Sequence, residues 1–371
     1  ILVNTSVTSL NADFHFVPTV HLQSTDRAAV KAYAATAGAT ATVNQGSVVL
    51  TAAAPFTASF SSRGPLLAGN GDLLKPDLIA PGQDVLAAVA PPGNAGSSFA
   101  LYSGTSMSSP HVAGLAALFK EIHPGWSPMM IKSALMTTGY DVLDGGTPAP
   151  NTNPVLIFRQ GAGHVSPNSA VDPGLVFDSG FRDWLNFICG VQPGSFCSAY
   201  TPIDPSDLNV ASIAIGDMAG VQTVKRRVTN VTGGPATFTA SHTGLAGFTV
   251  TVSPASLDFA PGETKEFTVT FTRTAATLNA YSGGQLRWTD GTRTVRVPMV
   301  VRPVALAAPA QVSGSYSVTF GYTGAFSATP RGLVAANVTP GTVSQDPDQT
   351  FDPADGTPTA VTVVIPAGTT Y

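Results

Sequence analysis

Residues 104–114 read Gly104-Thr105-Ser106-Met107-Ser108-Ser109-Pro110-His111-Val112-Ala113-Gly114. The stretch joins an extended segment to a helix. Gly104 has no Cβ, so the backbone there can turn sharply and approach a ligand closely. Beyond Met107 the apolar positions Val112, Ala113, Leu115, Ala116, Leu118 and Phe119 predict a mostly buried helix. Pro110 is tolerated because it lies close to the first turn. Ser106 then stands at a helix start, with its hydroxyl near free backbone N–H groups and the positive end of the dipole. Such donors stabilise an oxyanion formed when a hydroxyl attacks a carbonyl. Taken alone, Gly-Thr-Ser reads as an ordinary capping serine, which is what most serines before helices are.

The neighbouring segments separate the two readings. Upstream stand Ser59-Phe60-Ser61-Ser62-Arg63-Gly64-Pro65 and Lys75-Pro76-Asp77-Leu78-Ile79-Ala80-Pro81-Gly82. Downstream come His123-Pro124-Gly125-Trp126-Ser127-Pro128 with its continuation to Thr138, then Gly161-Ala162-Gly163-His164-Val165, then Asp172-Pro173-Gly174-Leu175-Val176-Phe177-Asp178. In this order, over residues 55–190, the chain resembles the serine-bearing half of the catalytic domain of the subtilisin-like serine peptidases, the subtilases. The resemblance implies the C-terminal part of an α/β domain, a parallel sheet with helices. It makes Ser106 the acyl-forming nucleophile, with its own N–H in the oxyanion site. It implies that Thr105 supports that site, and that Tyr102 and Ser103 line the cleft beside the substrate backbone. Ser62 and Arg63 read as a polar turn.

In subtilisin the catalytic residues run Asp, His, Ser along the chain. An acid, a base and a side-chain oxyanion asparagine are therefore expected upstream of Ser106, and the 105 residues before it show no matching segment. Local groups do not replace them. His111 follows the serine by five positions on the same helix and, at about 100° per residue, points about 140° away; a buried structural hydrogen bond is expected of it. His123, before Pro124, reads as a helix-start residue, and His164 lies in a glycine-rich loop. Asp77 reads as structural at a strand end. His15 and His21 alternate with apolar residues and face solvent from a strand.

Residues 1–50 resemble, through Phe16-Val17-Pro18-Thr19-Val20-His21-Leu22 and the helix-like run 25–37, the end of the protease-associated domain that many subtilases insert before the serine segment. Ile1 is not an initiator methionine and no signal-peptide pattern precedes it. The expectation is a C-terminal part of a larger enzyme, inactive alone, whose partner is the missing N-terminal part of the same protein.

Composition narrows the classes. Charged residues make up only 11% of the chain and the net charge is −4, without a basic patch, which argues against nucleic acid. No apolar run is long enough to span a membrane. No metal or cofactor is called for. Cys189 and Cys197 bracket the turn residues Pro193 and Gly194, and no further metal ligands stand nearby, so a disulfide is expected. That fits a secreted protein.

Past residue 200 helical periodicity gives way to alternating segments: 223–231, 236–241, 248–252, 266–272, 284–289 and 292–301. Turn clusters separate them, the pattern of an antiparallel sandwich. Val228-Thr229-Asn230-Val231, Val252-Ser253-Pro254-Ala255-Ser256-Leu257 and Pro261-Gly262-Glu263-Thr264 resemble the fibronectin-III-like domain that follows the catalytic domain in long subtilases. Trp288 leaves a carbohydrate platform open. Residues 305–371 read as an Ala/Pro linker and a further, partial β domain, with strand patterns at 314–322 and 359–365. Asp346, Asp348, Asp352 and Asp355 there form an acidic turn without EF-hand spacing, which reads as a solvated acidic loop, with a loose calcium site as the alternative.

The expected order is thus an insert end at 1–50, a catalytic segment at 51–200, a sandwich at 201–304 and a partial β region at 305–371. The leading functional expectation is a serine endopeptidase acting on polypeptides. The alternative is a non-catalytic scaffold or adhesive module of an extracellular protein, working through its sandwiches.

Overall fold

The computed structural model describes residues 1–6, 15, 17–47, 54–144, 152–308 and 315–329. Strands β1 (Leu2–Val3) and β2 (His21–Leu22) pair in parallel, and helix α1 (Arg27–Ala34) follows. None of the described residues 1–47 is buried. The antiparallel pair β3 (Val85–Ala88) and β4 (Phe99–Tyr102) leads into α2 (Thr105–Ile122), and α3 (Pro128–Thr137) comes next. Ser127 caps α3 by accepting the Met130 N–H at 3.0 Å, and Pro128 occupies a position where no amide is needed. Further on lie α4 (Pro154–Gln160), α5 (Pro167–Ala170), β5 (Leu175–Val176) and α6 (Phe181–Val191).

The burial of the two central helices inverts the sequence expectation. In α3, Ile131 and every residue from Ser133 to Thr137 are buried. In α2 only Phe119 is. Val112, Leu115 and Ala116 rest half-buried against Ile131 and Leu135 of α3. Ala113 faces solvent, Leu118 is 56% exposed and Ile122 53%. An apolar helix marks residues that want cover. It does not say whether the chain described here supplies that cover.

From residue 213 the chain is all β. Strands β6 (Ile213–Ala219), β7 (Val221–Asn230), β8 (Ala236–Gly244), β9 (Phe248–Ser253), β10 (Ser256–Phe259), β11 (Thr264–Arg273), β12 (Ser282–Thr289) and β13 (Thr294–Val304) form two sheets, ordered β10-β8-β12-β13-β6 and β5-β7-β11-β9. Alternation predicted six of these strands. It missed the four-residue β10 and also β6, which runs parallel to β13 and is buried on both faces, so its Ile213-Ala214-Ile215 run does not alternate. Trp288 is 0% exposed and stacks edge-on against Phe267, with ring centroids 4.9 Å apart, so it is core and offers no platform for sugars. Beyond the sandwich, β14 (Leu306–Ala307) pairs with β15 (Thr319–Phe320) inside the stretch read as linker and strand. Residues 359–365 and the four aspartates at 346–355 lie outside the described residues.

The sheets do not respect a boundary at residue 200. Leu175 and Val176 pair with Asn230 and Thr229, adding β5 to the smaller sheet. Phe177, Met136 and Ala162 share one continuous core with the sandwich residues Phe238, Phe267 and Trp288. A second cluster joins Leu74, Ile157 and Phe158 to Ala214 and Val300. Cys189 at the end of α6 is bonded to Cys197.

Two charged groups tie this joint, and neither shows in the sequence. Arg226 occupies an inward position of β7 and donates to four backbone carbonyls, those of Ser206, Val210, Ser212 and Lys225. Burial pushes its pKa down to about 10, with nearby Asp207 opposing, so it stays charged at neutral pH. On the other side, the Asp72 carboxylate accepts the Gly216 N–H at 2.7 Å. The approach is close: a Cβ on Gly216 would meet the Asn70 carbonyl at 1.5 Å. Burial raises the Asp72 pKa to about 7. Asp204 and Asp217 add to the rise, against the Gly216 amide and Arg302.

Two outcomes follow from this joint. A carboxyl whose pKa is raised on folding holds more protons folded than unfolded, so its favourable contribution is complete below about pH 4 and is lost as the pH rises through about 7. Asp72→Asn keeps an acceptor for Gly216 and cannot ionise. Urea melts between pH 4 and 8 should show a shallower loss of stability with rising pH than the parent chain. Arg226→Met strands several carbonyls and should cost about 3 kcal/mol or more in the same melts.

Candidate active site

Strand β4 ends at Tyr102 and the chain turns directly into α2. Gly104 closes the turn by donating its N–H to the Gly82 carbonyl at 2.7 Å and accepting that of Met107 at 3.0 Å. Its φ of 162° is extended backbone, and a Cβ there would make only ordinary contacts at 3.6 Å and beyond. The glycine that cannot be replaced is Gly82 opposite, where a Cβ would meet Ser108 Oγ at 2.1 Å and the Gly104 carbonyl at 2.9 Å. Gly82 lets the segment Leu78–Gly82 lie against the start of α2.

Thr105 and Ser106 are exposed in the first turn of α2. Among the described residues no side chain bonds the Ser106 hydroxyl, and the first-turn amides have no partner four residues back. The serine thus presents an exposed hydroxyl beside backbone donors. Of the two residues expected to line the cleft, Ser103 is half-buried. Its Oγ accepts the Asp84 N–H at 2.8 Å and donates to the Asp84 carboxylate at 3.0 Å. Tyr102 is exposed, and its hydroxyl donates to Asn94 at 2.6 Å. Asp84, which pins the base of the β3–β4 pair, carried no signal in the sequence.

A cavity of about 570 Å³ opens alongside, walled by Phe60, Ser61, Leu78, Ala80, Pro81 and His164 and reaching Thr105, Ser108 and Ser109 on α2. It borders the helix start without including Ser106, Ser103 or Tyr102.

None of the nearby histidines is bonded to Ser106. His111 places Nδ1 2.8 Å from the Met107 carbonyl of its own helix. That is a structural hydrogen bond, but an exposed one, because the face of α2 that carries it is uncovered. His123 stacks on Trp126 at 3.9 Å, where α2 ends. His164 is held by backbone on two sides, bridged to Ile79 and Tyr140, with Nδ1 2.9 Å from the Val165 carbonyl. His15 and His21 lie 2.7 Å apart, Nε2 to Nε2, in the N-terminal segment.

Asp77 is structural in a specific way. It receives Lys75 at 2.6 Å and Lys132 of α3 at 2.9 Å, and its carbonyl accepts the Ala162 N–H. Burial would raise its pKa, but the two ammonium groups outweigh burial and hold it below the usual carboxylate range. Asp77 therefore clamps the segment that flanks the cavity onto the helix that supports α2. Lys132 was legible only as a helix residue, because the pairing spans 55 positions of sequence.

Residues 18–163 match the family model for the subtilase family, and residues 207–301 match that for a fibronectin type-III domain. The chain carries a subtilase segment followed by a fibronectin type-III domain. It is 39% identical over 283 residues to the subtilisin-like protease SBT2.5 of Arabidopsis thaliana, covering 68% of this chain and 34% of that protein. With SBT1.7 of the same plant it shares 39% over 331 residues, 81% of this chain and 44% of that one. With the subtilisin-like protease Glyma18g48580 of Glycine max it shares 40% over 276 residues, 67% and 34%. The chain thus spans between a third and a half of the length of these curated relatives. The subtilase match begins at residue 18, within the stretch resembling an insert, and the fibronectin match begins at residue 207, inside the stretch 206–212 whose carbonyls Arg226 binds.

The Asp77 clamp gives the opposite pH dependence to Asp72. Its pKa is depressed on folding, so its contribution is present above about pH 4 and fades as the pH falls through the lower folded value. Asp77→Asn should cost about 1 kcal/mol at pH 7, since all three side chains are partly solvated, and the cost should shrink toward pH 3 in urea melts.

Proposed function

We propose that this chain is the serine-bearing part of a serine endopeptidase that cleaves polypeptides through an acyl-enzyme on Ser106. The observation that carries the reading is the exposed Ser106 hydroxyl at the N-terminus of α2, in a segment matching the subtilase family. In the proposed reaction Ser106 Oγ attacks the scissile carbonyl while its proton passes to a histidine. The Ser106 N–H donates to the resulting oxyanion. Collapse expels the amine, which takes the proton from the imidazolium, and water then hydrolyses the acyl ester by the same route.

The base, its aspartate and the side-chain oxyanion donor are assigned to a region N-terminal to this chain. Two features support this. No histidine among the described residues bonds Ser106, and the outer face of α2, with Leu118 and Ile122, stands exposed where an α/β domain buries its helices. Residues 1–50 are assigned to the end of a protease-associated insert. Secretion is proposed from the disulfide and the sparse charge. A tethered adhesive module is disfavoured, because the sandwich shares its core with the catalytic segment and buries Trp288.

A fluorophosphonate probe tests the reading on three samples: this chain, the full-length gene product, and that product carrying Ser106→Ala. Label is expected only on the unmodified full-length protein. Without a general base the isolated chain should react about 10²–10⁴-fold more slowly. Stoichiometric labelling of the isolated chain at Ser106 would show that it holds its own base. Met107, beside the serine, gives a second outcome. Peroxide should inactivate the full-length enzyme by placing a sulfoxide oxygen next to the nucleophile, and Met107→Ala should resist while keeping some activity. Equal inactivation rates would place the damage elsewhere.

A further inference from the structure

Strands β12 and β13 set Arg287 and Arg296 directly opposite one another. Like charges at opposed positions of a ladder repel, so such a pair calls for compensation. Among the described residues one carboxylate, Asp141, bonds this pair, and it answers Arg296. Asp141 accepts Arg296 Nη2 at 2.7 Å, and also Gln160 Nε2 at 2.8 Å and Gln285 Nε2 at 3.2 Å. Arg296 further donates to the carbonyls of Gly139 and Ala162. Among the described residues Arg287 receives only a neutral acceptor, Gln285 Oε1 at 3.2 Å from Nη2. Its Nε is buried and has no hydrogen-bond partner. Among the described residues, two guanidiniums and one engaged carboxylate leave a net positive charge at this position.

The same arginines line a cavity of about 480 Å³, together with Asp141, Tyr140 and the apolar side chains of Ala54, Pro55 and Leu143. The volume is that of a small-molecule pocket and exceeds what a bare ion fills. Its two kinds of wall ask for a ligand with two ends. Arg287 lines the cavity and a guanidinium pairs with the oxygens of a carboxylate, while a proline and a leucine match a hydrocarbon body. Burial holds the pKa of Arg296 below its ordinary value, against Asp141, and neighbouring Arg287 adds to the effect.

We propose that this cavity, between the loop after α3 and the sandwich, binds a small organic carboxylate, its oxyanion on Arg287 and its apolar body against Pro55 and Leu143. The site is separate from Ser106 and takes none of its residues. Because it is walled by both the catalytic segment and the sandwich, an occupant binds the docked form and stabilises the joint by mass action.

Calorimetric titration of the whole 371-residue chain with benzoate tests this, with benzamide as the neutral isostere and inorganic phosphate as the anion without an apolar body. One benzoate per chain should bind, at least tenfold more tightly than either control, and should raise the melting temperature. Arg287→Gln should weaken benzoate at least tenfold, and Arg287→Lys should restore part of the loss. Leu143→Trp, which fills the cavity and leaves both arginines in place, should abolish binding and decides the matter if Arg287→Gln does not fold. Equal affinity for benzoate and benzamide, phosphate binding as tight as benzoate, or unchanged benzoate affinity in either Arg287→Gln or Leu143→Trp would overturn the proposal.

Discussion

The structure depends on one continuous apolar core shared by two kinds of architecture. Leu175 and Val176 enter the smaller sheet as a strand, and Phe177 follows them into the sandwich, its ring 6.4 Å from that of Phe267. Met136 of α3 and Ala162 reach the same core. The subtilase segment and the sandwich are therefore not beads on a string. Separating them would expose apolar surface on both sides and break the β5–β7 ladder, and burial of this kind is the dominant favourable contribution to folding. Helix α3 is the pivot: it faces the shared core through Met136 and supports α2 through Ile131 and Leu135.

That arrangement bears on Ser106 through a short series of contacts. The sandwich backs α3, α3 backs the inner stripe of α2, and the Asp77–Lys132 pair fixes the segment along the cavity. Gly82 then lets that segment approach the first turn of α2 closely enough to receive the Gly104 amide. The inner face of α2 is thus positioned by the described residues, whereas its outer face is not. The proposed nucleophile stands on a helix that is held on one side only.

The charged groups at the joint follow a common logic. Arg226, Asp72, Asp141 and Arg296 are all largely withdrawn from water, and each is satisfied by backbone or by a partner distant in sequence. Buried charge is costly unless hydrogen-bonded, so these groups define the joint geometrically more than they stabilise it. They also give the joint opposing pH sensitivities, since Asp72 favours its protonated form and Asp77 its ionised one.

What the sequence determined by itself lies in local pattern and in contiguous motif. The run around Ser106 identified the helix start, and period-two alternation located six of the eight strands from β6 to β13, because both signals are written within a few consecutive residues. Cys189 and Cys197 were legible for the same reason. What only the tertiary structure decided depends on residues far apart in the chain. Asp77 with Lys132, Ser103 with Asp84, Asp72 with Gly216 and Arg287 with Arg296 leave no periodic trace, because their spacing is set by packing. The strand β6 escaped notice since burial on both faces erases alternation, and the exposure of α2 and of His111 was misjudged since apolar composition records a demand for cover. Whether that demand is met is a property of the neighbours in space, and sequence order does not encode them.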